Sequence, residues 1–172
     1  MPRKIKVKAS VRRAAEERLR RIARVGEVFL DGDAFKGVAL KPELNTGDEY
    51  CVDHEKFIQI KQTLLRLKRI EAGDIGAQAW RRFGSEADIT VPVDTYPLSV
   101  RPGNHPITPA MAEAFGGRTA VQEREMRGVP VLSVCAPIRD SLNDVVGILE
   151  VFTSLAPERW TVSALTPDAP GE

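Results

Sequence analysis

Cysteine, aromatic residues and long apolar runs are all scarce in this chain of 172 residues, and each shortage excludes a class of protein. The two cysteines, Cys51 and Cys135, stand far apart and in no redox or metal spacing, so no disulfide framework or zinc module is written into the chain. Cys135 sits in an apolar run and is expected to be a small buried hydrophobe. Aromatics supply 6% of residues against 42% hydrophobic residues in all, which leaves the core to aliphatic side chains. No run of about 18 apolar residues exists, so no spanning helix is expected. The charged N-terminus lacks the apolar stretch that a secretory leader needs, and a soluble, cytoplasmic chain is the expectation. Catalytic signatures are missing as well: there is no G-x-S-x-G, Walker loop, G-x-G-x-x-G or H-E-x-x-H. Asp88, Asp94 and Asp140 have no base or nucleophile at a telling spacing, so no enzyme and no cofactor is expected. Cys51, Asp53 and His54 lie together, but a metal would need a further ligand such as His105, and on that count no metal centre is expected.

What the chain does have is length for one domain with a real core, and an uneven distribution of charge. Net charge is +1 overall, yet residues 1–24 hold ten Lys/Arg against Glu16 and Glu17, giving +8 there and −7 over the rest. A basic N-terminal arm over 1–25 on an acidic body suits nucleic acid or anionic lipid, and equally a solvated helix or a dimer contact. The second group is preferred, and nucleic acid is not the expected partner.

Hydrophobic periodicity then places the elements. Ser10 is positioned to cap a helix over 11–25, where Val11, Ala14, Ala15, Leu19, Ile22 and Val25 form one stripe and Gly26 is a stop signal. Residues 27–30 and 36–40 are expected as short strands around the turn Asp31-Gly32-Asp33, and 41–49 as a loop. Asp53 caps the strongest helix, 55–71, with Phe57, Ile60, Leu64, Leu67 and Ile70 on one face. A strand over 75–83 and a shorter one over 89–93 follow, the latter at an edge because of Pro92. Residues 84–109 hold five of the twelve prolines and are expected to be mainly an ordered loop. Thr108 caps a short helix over 109–115, with Pro109 at its first position and Gly116-Gly117 after it. Strands over 118–126, 129–138 and 145–152 complete the pattern, and the last two form a hairpin whose turn Asp140 stabilises through backbone N–H groups. From 153 to 172 a loose tail is expected.

The end of this pattern resembles Cache or PDC-type sensor domains, the extended branch of the PAS superfamily. The resemblance runs over 104–152: a short helix, the pair Gly117-Arg118, and three consecutive strands, with Ala136-Pro137-Ile138, a turn carrying Asp140, and Val146-Gly147-Ile148-Leu149. It implies an α+β domain over 26–152, with a PAS/Cache-like antiparallel sheet of about five strands flanked by helices. The helices 11–25 and 55–71 then lie on one side, and the proline-rich loop with helix 109–115 on the other.

The resemblance also implies function: small-molecule sensing in signal transduction, with a ligand of carboxylate or amino-acid type held between the sheet and the loop-plus-helix layer. Arginine grips a carboxylate through two parallel bonds, so Arg101 and Arg118, with His105, are candidate ligand-binding residues. Tyr96 and Ser133 would add hydroxyls, and Trp80 an apolar wall. A sensor without an evident output domain is expected to act through a signalling partner protein or as a homodimer through residues 11–25. A GAF- or PAS-like interaction scaffold without ligand is the alternative, and a nucleic-acid-associated protein using the basic arm is a third reading.

Overall fold

The computed structural model describes residues 6–37, 54–83, 89–94, 103–104, 106–126 and 128–157, with the backbone alone at 54, 83, 89–94, 103–104 and 126. In chain order the elements are helices α1 (Ala9–Phe29), α2 (Gly32–Gly37) and α3 (His54–Leu67), then strands β1 (Ile75–Phe83), β2 (Ile89–Asp94) and β3 (Gly103–Asn104). Helix α4 (Pro109–Phe115) follows, and strands β4 (Ala120–Met126), β5 (Val129–Arg139) and β6 (Val145–Ser154) end the described chain. The strands form one antiparallel sheet in the order β3-β2-β1-β6-β5-β4. β6 and β5 are therefore interior strands, and the burial of nearly every residue in them explains their near-continuous apolar sequence. The turn between them is built by Asp140, whose Oδ1 accepts from the N–H groups of Leu142 (3.0 Å) and Asp144 (2.8 Å), while Asn143 adopts φ 66°.

Period-two alternation sends β-strand side chains to two different layers. On one face Leu132, Val134, Ala136, Leu149, Val151, Ile75, Ala77 and Ala79 meet Leu19, Ile22 and Ala23 of α1 and Ile60, Leu64 and Leu67 of α3. On the other face Trp80, Ala120, Cys135 and Ile148 meet Ala110, Met111 and Ala114 of α4. Thr108 caps α4 by accepting from Met111 N–H at 3.2 Å, with Pro109 at the first position. The architecture is α+β, with five long strands and the two-residue β3 among the described residues.

Several expectations need correction, and tertiary packing is the reason in each case. Gly26 does not stop α1, which runs on to Phe29. A Cβ at Gly26 would stand 2.2 Å from Leu149 Cδ2, so this glycine serves the close approach of helix to sheet and stays helical. Ser10 lies inside α1, and Lys8 occupies the N-cap without a side-chain bond. Residues 27–29 are helical rather than strand, and Asp31 is a helix cap instead of a turn residue: its Oδ1 accepts from the N–H groups of Asp33 (2.9 Å) and Ala34 (3.1 Å). Lys36 and Gly37 accordingly belong to α2. That short helix is drawn onto the sheet by Phe35, which is buried against Gly147; a Cβ there would be 2.1 Å from the Phe35 ring. Helix α3 ends at Leu67 rather than 71, followed by a turn and by Gly73 at φ 130°, which leaves Ile70 exposed. β4 begins at Ala120 rather than 118. β6 extends to Ser154, and Leu155 and Ala156 are buried, so residues 153–156 belong to the packed body. Residues 38–53, 84–88, 95–102 and 158–172, which include the expected loop 41–49, the Asp53 cap and most of the proline-rich segment, lie outside the described residues.

Helix α1 is an integral part of the core. Its apolar stripe of Ala15, Leu19, Ile22 and Ala23 is consumed by its own sheet, and its arginines are largely engaged within the chain. Arg12 pairs with Glu123, Arg13 with Glu17, Arg20 with Glu16 and Arg21 with Glu71. Among the described residues, no helix is long and apolar enough to cross a membrane.

Candidate functional site

The α4 face of the sheet carries a row of polar side chains in an otherwise apolar layer. Register places Gln78 of β1 opposite Glu150 of β6, and Glu150 opposite Cys135 of β5. Ser133 lies one row further along β5, opposite Gln122 of β4 and Phe152 of β6. Arg124 of β4 is opposite Val131, so its guanidinium reaches past the row of Ser133 to meet Glu150 two strands away.

Glu150 is fully buried, at 0% exposure, and a buried carboxylate is tolerated only when it is hydrogen-bonded and paired with a cation. Both requirements are met, but unevenly. Gln78 Nε2 (2.6 Å) and Trp80 Nε1 (2.8 Å) both donate to Oε2. Oε1 lies 2.8 Å from Arg124 Nη2, close enough for strong charge attraction yet not aligned as a hydrogen bond. Glu150 Oε1, Arg124 Nε, Arg124 Nη2 and Ser133 Oγ are therefore buried polar atoms without a hydrogen-bond partner. Interiors ordinarily satisfy their polar groups, so this ion pair, with Arg124 Nε and Ser133 Oγ left without hydrogen bonds on the same face, is an exception. Nε and Nη2 form one edge of the guanidinium, and that edge matches the two oxygens of a carboxylate.

Beside this polar group stands the apolar cluster of Trp80, Cys135 and Ile148 under Ala110, Met111 and Ala114, so the site has a charged end and an aliphatic end. Burial pushes the Cys135 thiol far above its ordinary pKa, and the neighbouring Glu150 charge adds to the shift. Cys135 is thus a neutral wall residue, its Sγ accepting a weak bond from Gln122 Nε2 at 3.8 Å.

Of the residues singled out from sequence, Trp80 and Ser133 are brought into this cluster. Arg118 is not: it is exposed at the start of the α4–β4 connection, 3.9 Å from Glu113. Tyr96, Arg101 and His105 lie outside the described residues, as do Cys51 and Asp53 of the imagined metal site. Glu150, Arg124 and Gln78 were missed. The available signal was Glu150 itself, a lone carboxylate in the middle of an apolar run of β-branched strand residues. Its partners carried no signal, because Gln78 and Arg124 are distant in sequence and only the register assembles them.

No family model matches the chain, and no curated protein matches it. Among solved structures it is similar to the ligand-binding domain of the Campylobacter jejuni chemoreceptor Tlp3 in complex with L-valine, at 12% identity and a TM-score of 0.39, covering 83% of this chain and 59% of that one. It is also similar to the periplasmic sensory domain of the Campylobacter jejuni chemoreceptor Tlp1, at 8% identity and a TM-score of 0.38, covering 86% of this chain and 61% of that one. The chain thus spans about three fifths of the length of these structures.

Proposed function

We propose that this chain is a small-molecule sensing module in signal transduction, whose ligand binds on the α4 face at the Glu150–Arg124 cluster. The observation that carries this reading is the ion pair of Arg124 with the fully buried Glu150, on a face where Arg124 Nε and Ser133 Oγ have no hydrogen-bond partner. The ligand is of carboxylate or amino-acid type: Arg124, whose Nε has no hydrogen bond, takes the carboxylate, Ser133 Oγ adds a hydroxyl contact, and Trp80 with Met111 lines the aliphatic end.

The sensor works through a partner protein or a second copy. A homodimer through residues 11–25 would use the outer surface of α1, where Val11 is exposed, because the inner stripe is already buried.

The test is a thermal-shift screen of organic acids, amino acids and nucleotides, repeated on Arg124→Met/Glu150→Met. A true ligand raises stability as RT ln(1 + [L]/Kd), about 2.7 kcal/mol at one hundred times Kd, and the double variant abolishes the shift. A flat screen on the wild type favours the interaction scaffold. Binding to DNA or RNA that falls steeply with salt would favour the nucleic-acid reading instead.

A further inference from the structure

We propose that the outer surface of α1 and α3 docks on an anionic phospholipid bilayer, with arginines holding headgroup phosphates and exposed apolar side chains entering the layer beneath them. This surface lies on the side of the sheet away from α4, so the inference is independent of the ligand reading.

Charge is divided between the layers of the molecule. Helix α1 together with residues 54–71 holds eleven Lys/Arg against five Asp/Glu, whereas residues 106–126 and 128–157 hold three against six. Such a separation turns the helical layer toward a negative surface. Helical spacing decides which side chains meet it. The sheet takes Ala15, Leu19, Ile22, Ala23 and Gly26 of α1, and Ile60, Leu64 and Leu67 of α3, which turns Arg24 and Arg66 outward. Both are exposed, as is Arg69 in the turn after α3. Leu67 packs at Gly26, and Glu71 pairs with Arg21 at 2.7 Å, so these three arginines share one end of the layer. Arg13, Arg20 and Arg21 are partly neutralised by Glu17, Glu16 and Glu71. Arg24, Arg66 and Arg69 have no ion pair or hydrogen bond among the described residues.

Apolar exposure is concentrated in the same layer. Of the six exposed large hydrophobic side chains among the described residues, Val11, Val28, Phe29, Ile58 and Ile70 belong to α1, α3 or the turn after α3, and only Leu142 lies elsewhere. Val28 follows Arg24 by one helical turn, and Ile70 follows Arg69 directly, so cations and apolar side chains are interleaved. That mixture selects the partner. Nucleic acid would engage the arginines through its phosphates but would leave Val28 and Ile70 nothing to bury against. An acidic protein would call for a contiguous apolar centre to its interface, and here arginines interrupt it. A bilayer accepts both groups, phosphates taking the guanidinium forks and the acyl boundary taking the apolar side chains.

The experiment is co-sedimentation of the full chain with phosphatidylcholine vesicles, with and without about 30% phosphatidylserine, beside a titration with duplex DNA at the same salt. Wild type is expected to bind the phosphatidylserine vesicles, to lose binding as salt rises, and to ignore pure phosphatidylcholine. Arg24→Gln/Arg66→Gln/Arg69→Gln is expected to lower partitioning about 100-fold, about five-fold per arginine. Val28→Ser/Ile70→Ser, which leaves the charge unchanged, is expected to lower it about 10-fold. All five positions are exposed, and melting followed by circular dichroism checks that the fold is kept. If the triple variant does not fold, Arg66→Gln alone is read, with a loss of about five-fold. No binding to phosphatidylserine vesicles, or equal binding to phosphatidylcholine, overturns the proposal. Vesicle binding unchanged in the arginine variants overturns it as well. Binding unchanged in Val28→Ser/Ile70→Ser, or tighter binding to DNA than to vesicles, overturns the bilayer in favour of a purely electrostatic polyanion contact. None of these outcomes touches the ligand reading at Glu150.

Discussion

The two faces of one sheet obey different rules in this molecule. Toward α1, α2 and α3 the strands present mainly aliphatic and small side chains, with Thr153 hydrogen-bonded by Arg18, and the layer is closed by contacts such as Gly26 against Leu149. Toward α4 the same strands, read one residue out of phase, carry Gln78, Glu150, Ser133 and Arg124, with Glu150 ion-paired to Arg124 and with Arg124 Nε and Ser133 Oγ lacking hydrogen bonds. The first face shows what stability requires, which is apolar area removed from water without voids. The second departs from that rule at a definite place, and such departures are where function is found.

The sharpest way to break this contrast is to truncate the carboxylate. Glu150→Ala leaves Arg124, Gln78 and Trp80 without their acceptor and is expected to lower stability by about 3–5 kcal/mol in chemical denaturation. Replacing both charges, Arg124→Met/Glu150→Met, is expected to restore stability to near wild type or above while ligand stabilisation disappears. A double variant as unstable as the single one would mean that the pair is structural.

On the opposite face Leu64→Ala, at a fully buried position, is expected to cost about 2–5 kcal/mol. The affinity of the surviving folded protein for its ligand should not change, as measured by titration below the melting temperature. Loss of affinity there would show that the two faces are coupled.

A smaller effect is expected at the edge of the candidate site. Thr108→Ala removes the cap on α4 and should lower stability by about 1 kcal/mol, with ligand affinity weakened because Met111 is carried by that helix.

The smallest effect is pH-dependent and belongs to neither face. At the β5–β6 turn the hydrogen bond from Lys36 holds the Asp140 carboxyl below its ordinary value, against desolvation, and the same bond holds Lys36 above its own. Because Asp140 is depressed, its contribution is complete above the ordinary carboxylate range and is lost as pH falls through the depressed value. Because Lys36 is raised, its contribution is complete below the ordinary lysine range and is lost as pH rises through the raised value. Melting temperature plotted against pH should therefore flatten at the acid end in Asp140→Asn.

The legibility of the sequence follows the same division. β1 and α4 appear where alternation and the Thr108-Pro109 start signal place them, because those signals are local and packing reinforces them. The β5–β6 hairpin and its Asp140 turn are equally local. Residues 26–37 were misread because their punctuation is ambiguous: Gly26 and Asp31-Gly32-Asp33 read as breaks, whereas contacts with Leu149 and Gly147 keep the segment helical. Trp80 and Ser133 lie on strands expected from the sequence, while Arg124 and Gln78 carry no signal that separates them from the solvated polar residues of any strand.

By itself, then, the sequence determined the α+β class, the strongest elements, the hairpin and the absence of a metal or nucleophile motif, since these depend on periodicity and on neighbours a few residues apart. Only the tertiary structure decided that α1 is core, that Gly26 is a contact rather than a stop, and that Gln78, Trp80 and Arg124 converge on Glu150. The physical reason is strand register: a shift of one residue would send every one of these side chains to the other face, and register is settled by the whole sheet at once.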